Sequence, residues 1–264
     1  VESPVAFPRS VNDMRPSAAS RSTMVRSVSS TRQTLASPGH GMRRLSPVAD
    51  EKRLMVLDSA SMYFRAFFGV PEVLAPDGTP VNAVRGFLDF ISRLFNTYSP
   101  SHLACCWDND WRPKWRVDLI PSYKAHRIAK SGDTVVAEMK SSVSTAGEGV
   151  PEGLAVQVPL ILGVLDALGI AVVGKDGYEA DDVIGTLAST APMPVDVVTG
   201  DRDLFQVVDD ARQVRVLYIA RGVGKHEVVD NSWVQNKYGI PAAAYVDYAT
   251  MRGDASDGLP GISG

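Results

Sequence analysis

The sequence predicts an α/β fold with a central, mostly parallel sheet flanked by helices, and three observations carry that prediction. Short apolar runs recur at 53–58, 101–107, 170–174 and 194–200, as expected of strands buried on both faces. Helical patterns alternate with them, of which 81–98 is the clearest, with Val84, Phe87, Leu88, Ile91, Leu94 and Phe95 on one stripe. Acids stand at several strand ends and helix starts, where open α/β sheets place their ligands.

At 264 residues and 45% hydrophobic content, the chain can bury one large α/β core or two small ones. No stretch approaches the ~20 apolar residues of a membrane helix, so no membrane role is expected. Cys105 and Cys106 are adjacent in an apolar run, which suits buried thiols in a reducing compartment and offers no CxxC metal site, so a cytoplasmic protein is expected. Residues 1–50 hold seven Arg against Glu2, Asp13 and Asp50; of 27 basic and 30 acidic residues, 20 and 27 therefore fall in 51–264, a balance of −7. Bulk charge argues against nucleic-acid binding and leaves room for a local basic patch.

In chain order, residues 1–50 are rich in Ser, Arg and Pro without periodicity and are expected to be disordered. Their composition resembles a transit peptide, and a start near Met42 would leave only a short basic lead-in. The first strand, 53–58, ends at Asp58, which can also cap the helix expected at 59–68. A turn at 75–80 leads into the helix at 81–98, and a second strand at 101–107 closes at Asp108. A basic, aromatic stretch follows, with Arg112, Lys114, Tyr123, Lys124, Arg127 and Lys130. If 121–130 is helical, Tyr123, Lys124 and Arg127 share a face and suit a polyanion with bases to stack on; a solvated basic face is the plainer alternative. Residues 131–151 read as a mobile loop. A helix at 151–168 and a strand at 170–174 precede the acidic helix; a strand at 194–200, a hairpin of 214–219 with 225–229, and helices at 232–238 and 241–252 complete the pattern.

The acidic helix stands out because Glu179, Asp181 and Asp182 crowd its first turn. A helix dipole returns ~0.3–1 kcal/mol to an acid there, whereas two like charges ~4 Å apart repel by roughly 4 kcal/mol at an effective dielectric near 20. A cation is expected beside them. With Asp58, Asp201, Asp203, Asp254 and Asp257 they form an all-oxygen donor set without His or Cys, which selects hard cations such as Mg²⁺ or Mn²⁺ over zinc. Two such ions suit phosphodiester cleavage. GxxxxGK[ST], GxGxxG and GxSxG are absent, so nucleotide hydrolysis, dinucleotide redox chemistry and serine hydrolysis have no support.

The blocks LDSASMYFRAF, PSYKAHR, GYEADDVIGTLA, VVTGDRDLFQVV and GDASDGLPGISG, in this order, make residues 53–264 resemble the bacterial 5′–3′ exonuclease or flap endonuclease family, including the 5′ nuclease domain of DNA polymerase, in an actinobacterial form. The resemblance implies a PIN-like fold over 51–264, a helical arch over about 109–151, and metal-dependent cleavage of DNA with 5′ ends or flaps, and of RNA primers paired to DNA. A monomer in the cytoplasm, at the nucleoid, is expected. By position, Asp58, Glu179, Asp181 and Asp201 resemble ligands of a first metal or its waters. Asp203, Asp254 and Asp257 resemble an outer site, with Asp182 bridging or behind it. Lys124 and Arg127 resemble a catalytic pair neutralising the scissile phosphate, and Tyr123 a base-stacking neighbour. The family continues past LPGISG into a helix–hairpin–helix, so a truncated fragment with weakened activity is expected. Gly258 stands where many relatives carry a larger polar residue, with little effect expected. A PIN-type ribonuclease, a catalytically impaired nucleic-acid-binding remnant and a phosphoacceptor domain are the competing readings.

Overall fold

The structure, a computed structural model, describes residues 52–129 and 151–262. The expectations for residues 1–50, for the loop after 130 and for a DNA contact at Lys130 lie outside the described residues. Among the described residues no helix is long and apolar enough to cross a membrane.

Six strands form the central sheet: β1 (Leu54–Asp58), β2 (His102–Trp107), β3 (Ala171–Gly174), β4 (Val195–Thr199), β5 (Val214–Tyr218) and β6 (Glu227–Val229). Their order is β3-β2-β1-β4-β5-β6, with every neighbouring pair parallel except the β5–β6 hairpin. The chain thus runs outward from β1 to β3 and returns beside β1 at β4. That reversal makes the β1–β4 junction the switch point, where a crevice opens at the carboxyl ends of the strands.

Alternate strand residues feed two cores. Met55 and Leu57 face α1 (Ser59–Gly69), α2 (Asn82–Tyr98) and, after the short α5 (Glu152–Ala155), α6 (Gln157–Ala167). Leu54 and Val56 face α7 (Ala180–Thr190), a 3-10 turn at Asp203–Val207, α8 (Asn231–Tyr238) and α9 (Tyr245–Arg252). Val81 offers α2 no side-chain cap; Gln157, 0% exposed, accepts from Ala83 N and Val84 N instead, at 2.7 and 3.3 Å. This ties α6 to the start of α2 and satisfies backbone donors that burial would otherwise strand.

The sequence pattern and the structure part company at 114–129. A single helix over 121–130 is not formed: α3 (Lys114–Leu119) and α4 (Ala125–Ala129) are separated by a tight turn in which Lys124 takes φ +51°. Beyond α9, the two-residue strands β7 (Gly253–Asp254) and β8 (Leu259–Pro260) form a small hairpin that the sequence does not announce.

Candidate metal centre

The strand ends carry the site. Asp58, 5% exposed, ends β1, where its Oδ1 accepts from Ser61 N at 3.1 Å and its Oδ2 from the Thr199 hydroxyl at 2.7 Å. It caps α1 and at the same time lines the crevice. Asp108 follows β2 and accepts from Ala180 N at the start of α7 at 2.7 Å. Asp201, just past β4, is oriented by Asp203 N, which donates to its Oδ1 at 2.8 Å, and by its own N–H on the Thr199 hydroxyl at 2.9 Å. With Asp181 on α7, these carboxylates line a cavity of about 240 Å³ together with Glu179, Lys124, Arg127 and Trp111.

Among the described residues, no Lys or Arg pairs with Asp58, Asp108, Asp181 or Asp201. Withdrawal from water, then repulsion from Asp58, Asp201 and Asp108, pushes the Asp181 carboxyl well above the ordinary range. Asp108 is pushed up to about 6, first by loss of water and then by Asp58 and Glu179, against the helpful Ala180 N–H. Asp201 reaches solvent on its cavity side, yet the surrounding protein displaces enough water to raise it to about 6, with Asp203 and Asp58 adding to the rise. Anions crowded in this way favour a proton or a cation. The Oδ1 of Asp203 is shielded from solvent without a hydrogen-bond partner, and Arg252 is 3.9 Å from it. An oxygen-only donor set with an unpartnered carboxylate oxygen fits a hard divalent ion. Among the described residues no three His, Cys, Asp or Glu are drawn together into a ready-made cage.

Glu179 has the opposite environment. It is 4% exposed; its Oε1 meets Arg116 Nη1 and the Tyr123 hydroxyl, each at 2.6 Å, and its Oε2 meets Lys124 Nζ at 2.5 Å. Arg116 forks onward to Asp182 at 2.8 Å, and Asp182 accepts from Glu179 N at 3.0 Å, closing the N-terminus of α7. Glu179 is therefore the N-cap of α7 rather than a first-turn residue, and Asp182 is a capping and ion-pair residue outside the cavity lining.

The outer acids converge more loosely. Asp257 is paired with Arg127 at 2.9 Å; withdrawal from water raises its carboxyl, and Lys124 and Arg127 oppose that. Asp203 is raised by the same loss of water and by Asp254 and Asp257. Asp254 alone is lowered: burial is the largest influence and pushes upward, but two hydrogen bonds from Ser256, with Arg202 and Arg252, outweigh it. Asp254 also lines a neighbouring cavity of about 700 Å³ that shares Asp201 with the first.

Several sequence expectations need correction. Tyr123 is 6% exposed with its hydroxyl on Glu179, so it is not available to stack on a base. Lys124, by contrast, keeps its place at the border of the cavity, 7% exposed and paired there with Glu179. Arg112 donates to the carbonyls of Tyr123 and Pro121 and so braces the turn, and Lys114 makes an exposed pair with Asp118. At Gly258, φ is +71° and a Cβ would lie 2.5 Å from the Ser122 carbonyl oxygen, so glycine is needed there. Sequence reasoning overlooked Asp108, whose signal was the same as that of Asp58, an acid ending an apolar strand. It also overlooked Arg116, for which spacing gave no signal.

Carboxylates short of positive charge, in one cavity with basic side chains, are the equipment of a metal-dependent nuclease, and the known proteins belong to that class. Residues 53–239 match the family described as 5′–3′ exonuclease, N-terminal resolvase-like domain, and the chain belongs to that family. It is 60% identical over 211 residues to a 5′–3′ exonuclease of Streptomyces coelicolor and 53% identical over 218 residues to one of Mycobacterium tuberculosis. These alignments cover 80% of this chain and 67% and 66% of the relatives, so the chain spans about two thirds of their length. It is also 38% identical over 216 residues to a DNA polymerase I of Mycobacterium bovis, covering 80% of this chain and 21% of that protein. The fold is shared with T5 5′-exonuclease, a structure described with divalent zinc ions bound, at a TM-score of 0.61 and 16% identity over 81% of this chain and 71% of that one.

Proposed function

We propose that this chain is a 5′–3′ exonuclease and flap endonuclease that hydrolyses DNA phosphodiesters with Mg²⁺ or Mn²⁺. The observation that supports this most is the group Asp58, Asp108, Asp181 and Asp201, short of positive charge, in one cavity with Lys124 and Arg127. Bound there, two divalent ions would activate water and stabilise the departing oxygen. Asp58, Asp108, Asp181 and Asp201, with Glu179, would hold the inner ion or its waters, and Asp203, Asp254 and Asp257 the outer one. Lys124 and Arg127 neutralise the phosphate at the cavity. For Lys124 this means exchanging Glu179 for phosphate, while Arg116 stays on Glu179 and keeps that buried charge paired. The arch would draw on 109–151, and the substrates would be DNA 5′ ends, flaps and RNA primers paired to DNA, met by a monomer at the nucleoid.

The test is cleavage of a 5′-flapped duplex and a matched RNA strand with Mn²⁺, with Mg²⁺ and with EDTA, alongside Asp201→Asn. Metal-dependent cutting of the DNA, lost in Asp201→Asn, is expected. Cutting in EDTA, or cutting of the RNA strand alone, would overturn the proposal.

A further inference from the structure

Resting on the nuclease reading above, we propose that Trp111 is the ring on which a base of the single-stranded part of the substrate stacks beside the carboxylate cavity. The chain has four tryptophans. Trp107 packs on Tyr63, Trp115 on Tyr178 beneath the Arg116 guanidinium, and Trp233 on Phe205 with Lys237 over its face. Trp111 belongs to none of the aromatic or cation–π pairs among the described residues, is only half-buried, and borders the cavity with Lys124 and Arg127. A half-buried indole at the border of a charged cavity, outside every aromatic pair among the described residues, keeps apolar surface that a ligand can cover.

Its loop is held ready. Lys124 Nζ donates to the Trp111 carbonyl at 3.3 Å, Asp110 N donates to Tyr178 O at 3.3 Å, and Arg112 Nε donates to Tyr123 O at 2.7 Å. The indole thus sits on a segment anchored on both sides, next to cations that can take the adjoining phosphate. Tyr123, the ring the sequence offers for stacking, is turned inward to Glu179. Stacking tolerates every base, so the contact favours a strand with bases over one without, whatever its sequence.

The test is a binding cycle with a 5′-flapped duplex in Ca²⁺ in place of Mg²⁺, pairing wild type and Trp111→Ala with an intact flap and with single abasic residues stepped along it. Trp111→Ala should weaken binding roughly 5- to 150-fold, and Trp111→Phe should restore most of it. One abasic position should weaken wild type by a similar factor and Trp111→Ala no further. Additive losses at every position, unchanged affinity of Trp111→Ala, or a loss matched by lower thermal stability or weaker Mn²⁺ binding without DNA would overturn the assignment. Metal-dependent cleavage by wild type with Trp111→Ala binding normally would remove Trp111 and leave the nuclease standing. Absence of such cleavage would sink both.

Discussion

At the amino end of β4, Asp196 is 0% exposed and its carboxylate accepts from Arg53 at 2.8 Å and from Arg215 at 2.7 and 3.3 Å. Just past the carboxyl end of the same strand, Asp201 has backbone donors and acidic neighbours, and no described cation pairs with it. An acid that serves the fold arrives with its counter-ions, because a buried unpaired charge costs several kcal/mol. At the other end of the sheet Asp58, Asp108, Asp181 and Asp201 lack theirs among the described residues, and that deficit is what a divalent ion can fill.

The largest effect separating the two ends should come from Asp196→Ala. It strands two guanidinium groups and should destabilise the fold by about 3 kcal/mol, the lower end of the usual range because both arginines keep partial access to water. Urea melts would show it, while cleavage per folded molecule should be unchanged; a loss of cleavage without loss of stability would erase the distinction.

Asp181→Asn should do the reverse. Cleavage should fall by at least ~10²–10³-fold, the scale of one preorganised electrostatic contact at a reacting centre. The metal-free protein should melt no lower than wild type, since one of several repelling charges is gone. A clear drop in melting temperature would mean that Asp181 is a structural acid like Asp196.

A third probe is pH. Asp108 and Asp201, both pushed up to about 6, retain protons in the folded chain that unfolded carboxyls, near about 4, have already released. The folded state binds more protons across that window, so in EDTA stability from these groups should fall as pH rises from about 4 to about 6 and stay low above it. Mg²⁺ or Mn²⁺ should raise the melting temperature at about pH 7.5 and do little at about pH 5, where protons compete for the carboxylates. Equal metal stabilisation at both pH values would argue that these carboxyls are not the ones that titrate.

The smallest effect should come from Gly258→Ser, which forces a Cβ into the left-handed region against Ser122 O. A loss of about 1–3 kcal/mol is expected, together with weaker Mn²⁺ binding at Asp254 and Asp257. Stability equal to wild type would show that the hairpin shifts freely.

Much of this was legible before the structure. The strand runs, the α2 stripe and the β5–β6 hairpin are local patterns, and they appear where the periodicity puts them. Asp58, Asp181 and Asp201 were legible as acids at strand ends and a helix start. Asp108 closes its strand just as Asp58 does, but no block of the resemblance marks it in the sequence, and its approach to Ala180 N at the start of α7 is what places it with the others. Helical spacing across 121–130 puts Tyr123 on one face with Lys124 and Arg127, and the turn at Lys124 breaks that spacing. The clamp of Arg116 on Glu179 joins residues far apart in the chain, which no local pattern reports.

By itself, then, the sequence determined the alternation of strands and helices and the placing of acids at their junctions, because periodicity, capping and turn sterics act over a few residues. The tertiary structure decided which acids receive a partner. Asp196, Glu179 and Asp257 meet arginines, whereas Asp58, Asp108, Asp181 and Asp201 meet one another across the switch point of the sheet. The Coulomb energy of a charge depends on its neighbours in space and on the water it has lost, and both are set only when the chain has folded.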